Sequence, residues 1–197
     1  DSVAQDPFVF PLSTTDFIVT GIDSNGCKAS DTIIVIVAPL PATDAGSDTS
    51  LCAGTSVTLH ASGGIFYLWS PSVYLDNDTL QQPIATPPVS TTFFLTATDA
   101  LGCSATDSMI ATVVPTPEVS ITDFETSYCT NSNDVLLTAT PAGGFFAGDG
   151  VLDSLFQPGS LISGGPYTVI YYYIDSIGCA GSDTASTTIY SPAAIAV

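Results

Sequence analysis

The sequence predicts an all-β chain of small sandwiches joined in tandem, and three observations carry that expectation. A phrase of the form D-x-x-G-C-x-x-x-D occurs three times, as GIDSNGCKASD, ATDALGCSATD and YIDSIGCAGSD. Its cysteines Cys27, Cys103 and Cys179 recur every 76 residues, and so do Asp23, Asp99 and Asp175 and then Asp31, Asp107 and Asp183. A period this long suits a domain repeated along the chain rather than a solenoid unit. The second observation is residue choice: Val, Ile, Thr, Tyr and Phe abound, while the strong helix formers Lys, Arg, Glu and Met are nearly absent. The third is punctuation by Gly and Pro roughly every 8–12 residues, the rhythm of short strands.

Composition removes several classes of function. One Lys and no Arg stand against 19 acidic groups, a formal net charge of −18. Such a chain cannot replace the counterions of a nucleic acid, and an anionic membrane surface repels it. It is not an acidic disordered segment either, because 45% of its residues are hydrophobic and only 10% charged. The longest apolar run, Ile33 to Ala38, is far below the ~20 residues of a membrane helix, so no membrane insertion is expected.

The repeats align as a half copy at 1–38, complete copies at 39–115 and 116–192, and the start of a further linker at 193–197. The joints APLPATDAG, VVPTPEVS and YSPAAIAV are short and Pro-rich, and Pro stiffens them by fixing φ. Cys52 matches Cys129 in the next copy, so each complete copy holds one early and one late cysteine. This assignment predicts disulfides Cys52–Cys103 and Cys129–Cys179, with Cys27 unpaired because its early partner lies upstream of residue 1. Closing a loop of about 50 residues stabilises by ~4 kcal/mol in the chain-entropy model.

Within the second copy, 55–61 alternate Val57, Leu59 and Ala61 inward against Thr58 and His60 outward. A strand at 65–70 carries the only tryptophan, Trp69, placed to pack on the bridge. Residues 91–98 turn Phe93, Leu95 and Ala97 inward, and 107–114 do the same with Met109, Ala111 and Val113. Phe145 and Phe146 stand near the tryptophan's place in the third copy. Short strands without helices, and a cysteine joining an early strand to a late one, predict immunoglobulin-like (Ig-like) β-sandwiches.

The stretches DAGSDTSLCAGTSVTLHASGG, YLWSP and PIATPPVSTTFFLTATDALGCSATDS closely resemble the Ig-like and PKD-like repeats of giant surface proteins in Bacteroidota. These include gliding-motility adhesins exported by the type IX system. PAGGFFAGDGV, FQPGSL and GGPYTVIYYYIDSIGC resemble a sister version, so the likeness covers nearly the whole chain. The resemblance implies a secreted protein of the bacterial cell surface.

No catalytic constellation stands out. His60 is the sole histidine and is expected on an outer face, and there is no nucleophile elbow, metal-binding His pair or P-loop. No cofactor is required. Acidic residues at joints and loops, Asp44, Asp48, Asp76, Asp78, Asp123 and Glu125, are calcium candidates. Solvated turn carboxylates are the stronger reading of the same residues. Nine of 17 Asp residues precede Ser or Thr, about twice the number that composition predicts. Eight of the nine resemble the D-[S/T]-apolar O-glycosylation signal of exported Bacteroidota proteins, which makes Ser2, Thr32, Thr49, Thr79, Ser108, Ser154, Ser176 and Thr184 candidates for covalent glycans. The competing reading is that Asp-Ser and Asp-Thr open strands after turns. Finally Ile18, Phe94 and Ile170, extended by Tyr172 and Ile174, form an outward apolar strip suited to lateral association or sugar stacking.

The expected function is a non-catalytic structural or adhesive segment of a long extracellular surface protein or filament. The competing class is a carbohydrate-binding or PKD-like spacer module of a secreted hydrolase, for which a buried Trp69 would be unfavourable. Expected partners are neighbouring repeats, surface glycans, or copies of the chain itself. A half repeat of about 37 residues cannot bury a core alone, so the expectation is that either the upstream half belongs to a larger chain or another subunit supplies it by strand complementation.

Overall fold

A computed structural model describes residues 6–193. The chain is built of tandem Ig-like β-sandwiches, with two 3-10 turns as its helical content among those residues. Strands β1 (Thr15–Ile22) and β2 (Lys28–Val35) form an antiparallel hairpin in which Phe17 faces Ile33 and Ile18 faces Thr32.

The next sandwich uses β3 (Thr49–Cys52), β4 (Val57–Thr58), β5 (Phe66–Ser70), β6 (Ile84–Ala85), β7 (Thr91–Thr98) and β8 (Ser104–Val114). Its larger sheet has the order β3-β8-β7-β5, with β3 parallel to β8 and the other pairs antiparallel. The second layer is β4 paired with β6, extended by the Asp44–Ser62 bridge. Strict alternation along β7 buries Phe93, Leu95 and Ala97, and β8 answers with Met109 and Ala111. Leu59 and Ala61 are buried from the facing layer, although regular pairing there covers only 57–58 of the expected 55–61.

Trp69 sits at the centre of that core, 1% exposed, packed with Leu51, Leu59, Phe93 and Leu95. Its ring N–H donates to the Leu80 carbonyl at 3.1 Å, which satisfies its one polar atom. No bridge lies within this sandwich for it to pack on, since Cys52 is bonded elsewhere.

The third copy repeats the plan. Strands β9 (Ser120–Thr122), β10 (Ser127–Cys129), β11 (Val135–Leu136), β12 (Thr138–Thr140), β13 (Phe145–Gly148), β14 (Val151–Leu152), β15 (Leu155–Phe156), β16 (Gly164–Ile174) and β17 (Ala180–Tyr190) follow in order. The sheet β10-β17-β16-β13 reproduces the earlier one, including the parallel leading strand. Phe146 stands opposite Tyr171 as Trp69 stands opposite Leu95, and the two rings lie 4.6 Å apart. Phe145 turns outward instead and stacks on Tyr172. The buried aromatic centre is Phe156, with Phe124 edge-on at 5.1 Å and Tyr128 at 5.4 Å.

The expected disulfide pairs are corrected here. Cys52 is bonded to Cys179, across 127 residues and two repeats, while Cys103 and Cys129 are free. Register supplies the reason. Cys52 lies opposite Val114 at one end of β8, whereas Cys103 precedes Ser104 at the other end. Eleven residues of strand separate the two, on the order of 35 Å. Cys129 lies opposite Tyr190 and Cys179 precedes Ala180, so the same distance separates that pair. A disulfide spans a Cα–Cα distance of only about 4.4–6.8 Å. Each early cysteine therefore sits at the downstream pole of its sandwich and each late cysteine at the upstream pole.

Candidate functional site

The recurring phrase is a hairpin turn with a clamp. In each copy the first Asp accepts backbone N–H groups two and four residues on: Asp23 from Asn25 and Cys27, Asp99 from Leu101 and Cys103, Asp175 from Ile177 and Cys179. The Gly before each cysteine adopts positive φ, 83°, 83° and 98°, which favours glycine there. The turn thus presents its cysteine at the tip of the hairpin.

The second Asp does a different job. Asp107 accepts the Ala45 N–H at 2.8 Å and Asp183 accepts the Ile121 N–H at 2.8 Å, contacts at identical separations of 62 residues. Each ties the segment leaving a joint to the terminal strand of its own sandwich. The Ala45 N–H, then the Ser108 N–H, hold the Asp107 carboxyl below its usual pKa against a smaller opposing effect of burial. A depressed folded-state pKa contributes stability that is present above the unfolded value of about 3.9 and lost as pH falls through the folded value. Asp107→Asn is therefore expected to lower the melting temperature at pH 7. The gap to wild type should close as the pH drops below the ordinary carboxylate range, read by thermal melts across a pH series.

The joint between the two complete sandwiches carries the Cys52–Cys179 bond, with Cα atoms 5.5 Å apart. Cys179 is fully buried and Cys52 half-buried. The bond links the end of β3, at the downstream pole of one sandwich, to the β16–β17 turn at the upstream pole of the next. Cys27 and Cys129 are free and exposed, and Cys103 is free and half-buried.

The calcium candidates do not converge. Among the described residues no group of three or more acidic, His or Cys side chains is placed to hold a metal ion. Asp44 accepts the Gly46 N–H, Asp48 the Ile110 N–H, and Asp76 the Asn77 and Ile84 N–H groups, all at 2.7–2.8 Å. Asp123 adopts positive φ at 58° beside Thr138. Asp78 is half-buried and Glu125 exposed, neither joined to the others. The candidates lie at three separate places, Asp44 and Asp48 before β3, Asp76 and Asp78 between β5 and β6, and Asp123 and Glu125 between β9 and β10.

Of the glycan candidates, Thr32, Thr79, Ser108, Ser154, Ser176 and Thr184 are exposed and Thr49 is half-buried. Ser2 lies outside the described residues, as do 194–197 of the last linker. Three of these hydroxyls stand directly across the hairpin from the apolar strip. Ile18 pairs with Thr32, Phe94 with Ser108, and Ile170 with Thr184. Ile18 is 69% exposed and Phe94 56%, while Ile170 is half-buried and Tyr172 is exposed and stacked on Phe145. In the second copy Phe66, Leu68 and Ile110 are exposed on the same sheet as Phe94. Trp69, being buried, is not available to stack on a sugar. Among the described residues no helix is long and apolar enough to cross a membrane.

This architecture defines a class, the tandem Ig-like β-sandwich chain. Comparison with solved structures agrees on the fold. The chain is similar to the N-terminal eight Ig domains of Down Syndrome Cell Adhesion Molecule, with 11% identity and a TM-score of 0.51, over 90% of this chain and 31% of that one. It is also similar to a Ca2+-stabilized adhesin that helps an Antarctic bacterium reach out and bind ice. There the identity is 12% and the TM-score 0.46, over 92% of this chain and 58% of that one. The chain thus spans less than two thirds of the length of these neighbours. No family model and no curated protein matches it.

Proposed function

We propose that this chain is a non-catalytic, load-bearing segment of a secreted bacterial surface protein, serving as the stalk of an adhesin or filament. The observation that carries the reading is the Cys52–Cys179 bond, which fastens one sandwich to the next at their touching poles. A disulfide belongs to an oxidising compartment outside the cytoplasm. Its position makes it a joint staple rather than a core staple. Together with Pro115 and Pro117 in the linker it gives two connections between the sandwiches, one covalent bridge and one stiff peptide. A net charge of −18 keeps such a strut soluble and resists collapse between neighbouring repeats.

Glycans on Thr32, Ser108 and Thr184 suit this role, since each would lie over the apolar residue across the hairpin and shield the strip from water. The expected observation is an intact mass above the polypeptide mass in native material, lost on Ser108→Ala and its two equivalents together. The first hairpin favours a second arrangement: among the described residues β1 and β2 pair only with each other, and Ile18, Ile33 and Ile34 are exposed. The places filled by β3 and β5 beside the equivalent hairpin stand open there, for strands of another repeat.

Small-angle scattering tests the strut. Two sandwiches of about 35 Å placed pole to pole should give a maximum dimension of at least ~75 Å. Reductant should broaden the distance distribution. A compact particle of about 50 Å, unaffected by reductant, would remove the proposal.

A further inference from the structure

The smaller sheet of the third copy keeps the frame of the second and changes its outer row. Inward, Val135 faces Phe156 and Phe156 faces Val151, where the second copy has Val57, Ala85 and Leu75. The adjacent row points outward. In the second copy it reads Thr58, Ile84 and Asp76, with the Asp76 N–H bonded to the Ile84 carbonyl at 3.1 Å, so both ends are polar. In the third copy it reads Leu136, Leu155 and Leu152 in direct register, 64%, 37% and 57% exposed. The scaffold does not need this exchange, because the same frame stands with Thr and Asp in those places. Single exposed leucines need no explanation, but three in one contiguous row mark a contact surface. Two carboxylates flank the row. Strands β11 and β14 run in one direction, each antiparallel to β15. Asp134 lies two residues before Leu136 and Asp153 one residue after Leu152, both exposed, so they stand at opposite ends and on opposite sides of the row.

We propose that the Leu136–Leu155–Leu152 row docks an amphipathic helix of another protein, apolar along its contact stripe and basic on both flanks. Neighbouring strands lie about 4.8 Å apart, so the three leucines span about 10 Å. A helix laid across the strands turns residues i, i+3 or i+4, and i+7 to one face, and i to i+7 covers about 10.5 Å. The two spacings match, and such a helix buries its stripe as in other helix-in-groove contacts. Basic residues beside the stripe then meet Asp134 and Asp153. A second copy of this chain does not fit the place. It has one Lys and no Arg, and its own row would bring the same two carboxylates against these. An anionic lipid surface is repelled by the net charge of −18. The proposal is independent of the Cys52–Cys179 staple, since the row belongs to one sandwich alone.

The probe is a fluorescent synthetic helix of about 18 residues, long enough to hold helical structure, with Leu along one stripe and Lys on both flanks. Its anisotropy is followed on titration with the whole chain at about 0.15 M salt. Saturable binding is expected. Leu136→Thr together with Leu152→Asp installs the second copy's residues and should weaken it at least tenfold, with circular dichroism unchanged. The pair adds a negative charge, so attachment by charge alone would strengthen instead. Unchanged or stronger binding overturns the proposal. A probe with Ser in place of Leu keeps the charge and should bind at least tenfold more weakly; equal binding overturns it too. Should the leucine variant lose its fold, Asp134→Asn with Asp153→Asn is compared with the charge-matched Asp6→Asn with Asp16→Asn. The first pair should weaken binding at least threefold more than the second, and equal effects would reduce the contact to net charge. Light scattering covers the remaining occupant: dimers of the chain that the leucine variant abolishes would assign the row to a second copy and overturn the proposal.

Discussion

Pulled from its two ends, the oxidised chain should extend by roughly 420–460 Å less than the reduced chain. The bond bypasses a sequence separation of 127 residues, and an extended residue spans about 3.3–3.6 Å. Load arriving at Cys52 crosses to Cys179 and continues along β17, so β4 through β16 never carry tension. Single-molecule force spectroscopy reads this directly. The oxidised chain is expected to lack the two unfolding steps of two free sandwiches, and dithiothreitol should restore them. Two steps in the absence of reductant would mean that the sandwiches are not stapled. The bond also limits the unfolded ensemble. A loop this long corresponds to about 5 kcal/mol in the chain-entropy model.

Trp69→Ala should be the most damaging single substitution in the second sandwich. Truncating a large buried aromatic costs about 3–5 kcal/mol, from lost transfer energy and the cavity left behind. The Leu80 carbonyl loses its indole donor as well. In a small domain each kcal/mol moves the melting temperature by about 4–8 °C, so a fall exceeding ~12 °C is expected by far-ultraviolet circular dichroism. The core of the third sandwich, centred on Phe156, is separate from that of the second. Melting should therefore split into two transitions, of which only the lower has moved. A single transition falling as a whole would mean that the two cores unfold together.

What could be read from the sequence follows from where its signals are local. Alternation along 91–98 placed Phe93, Leu95 and Ala97 correctly because a strand has period two and one face is dry. The repeated Asp-Gly-Cys phrase marked the three hairpins because the turn needs a carboxylate acceptor and a positive-φ glycine close together in the chain. The clamps of Asp107 onto Ala45 and Asp183 onto Ile121 were signalled only by the fixed spacing of the second aspartate, which says that it matters but not what it binds. Phe156 was invisible, since a two-residue strand between turn formers has no period to detect.

The cysteine pairing failed for a geometric reason. Alignment shows that each copy owns an early and a late cysteine, but not that β8 and β17 are 11 residues long with the cysteines at opposite ends. Had the parallel pairing of β3 beside β8 been foreseen, the two cysteines of one copy would have stood too far apart to bond. The early cysteine of one copy and the late cysteine of the next would then have met at the joint.

Disulfide mapping of the untreated chain tests the central claim most directly. Free thiols are blocked at low pH, the chain is cut at acidic residues without reduction, and linked peptides are sequenced by mass spectrometry. The stapled strut predicts one intrachain link, Cys52–Cys179, with Cys27, Cys103 and Cys129 recovered as blocked thiols. Recovery of Cys52–Cys103 together with Cys129–Cys179 would place each bond inside its own repeat and contradict the account.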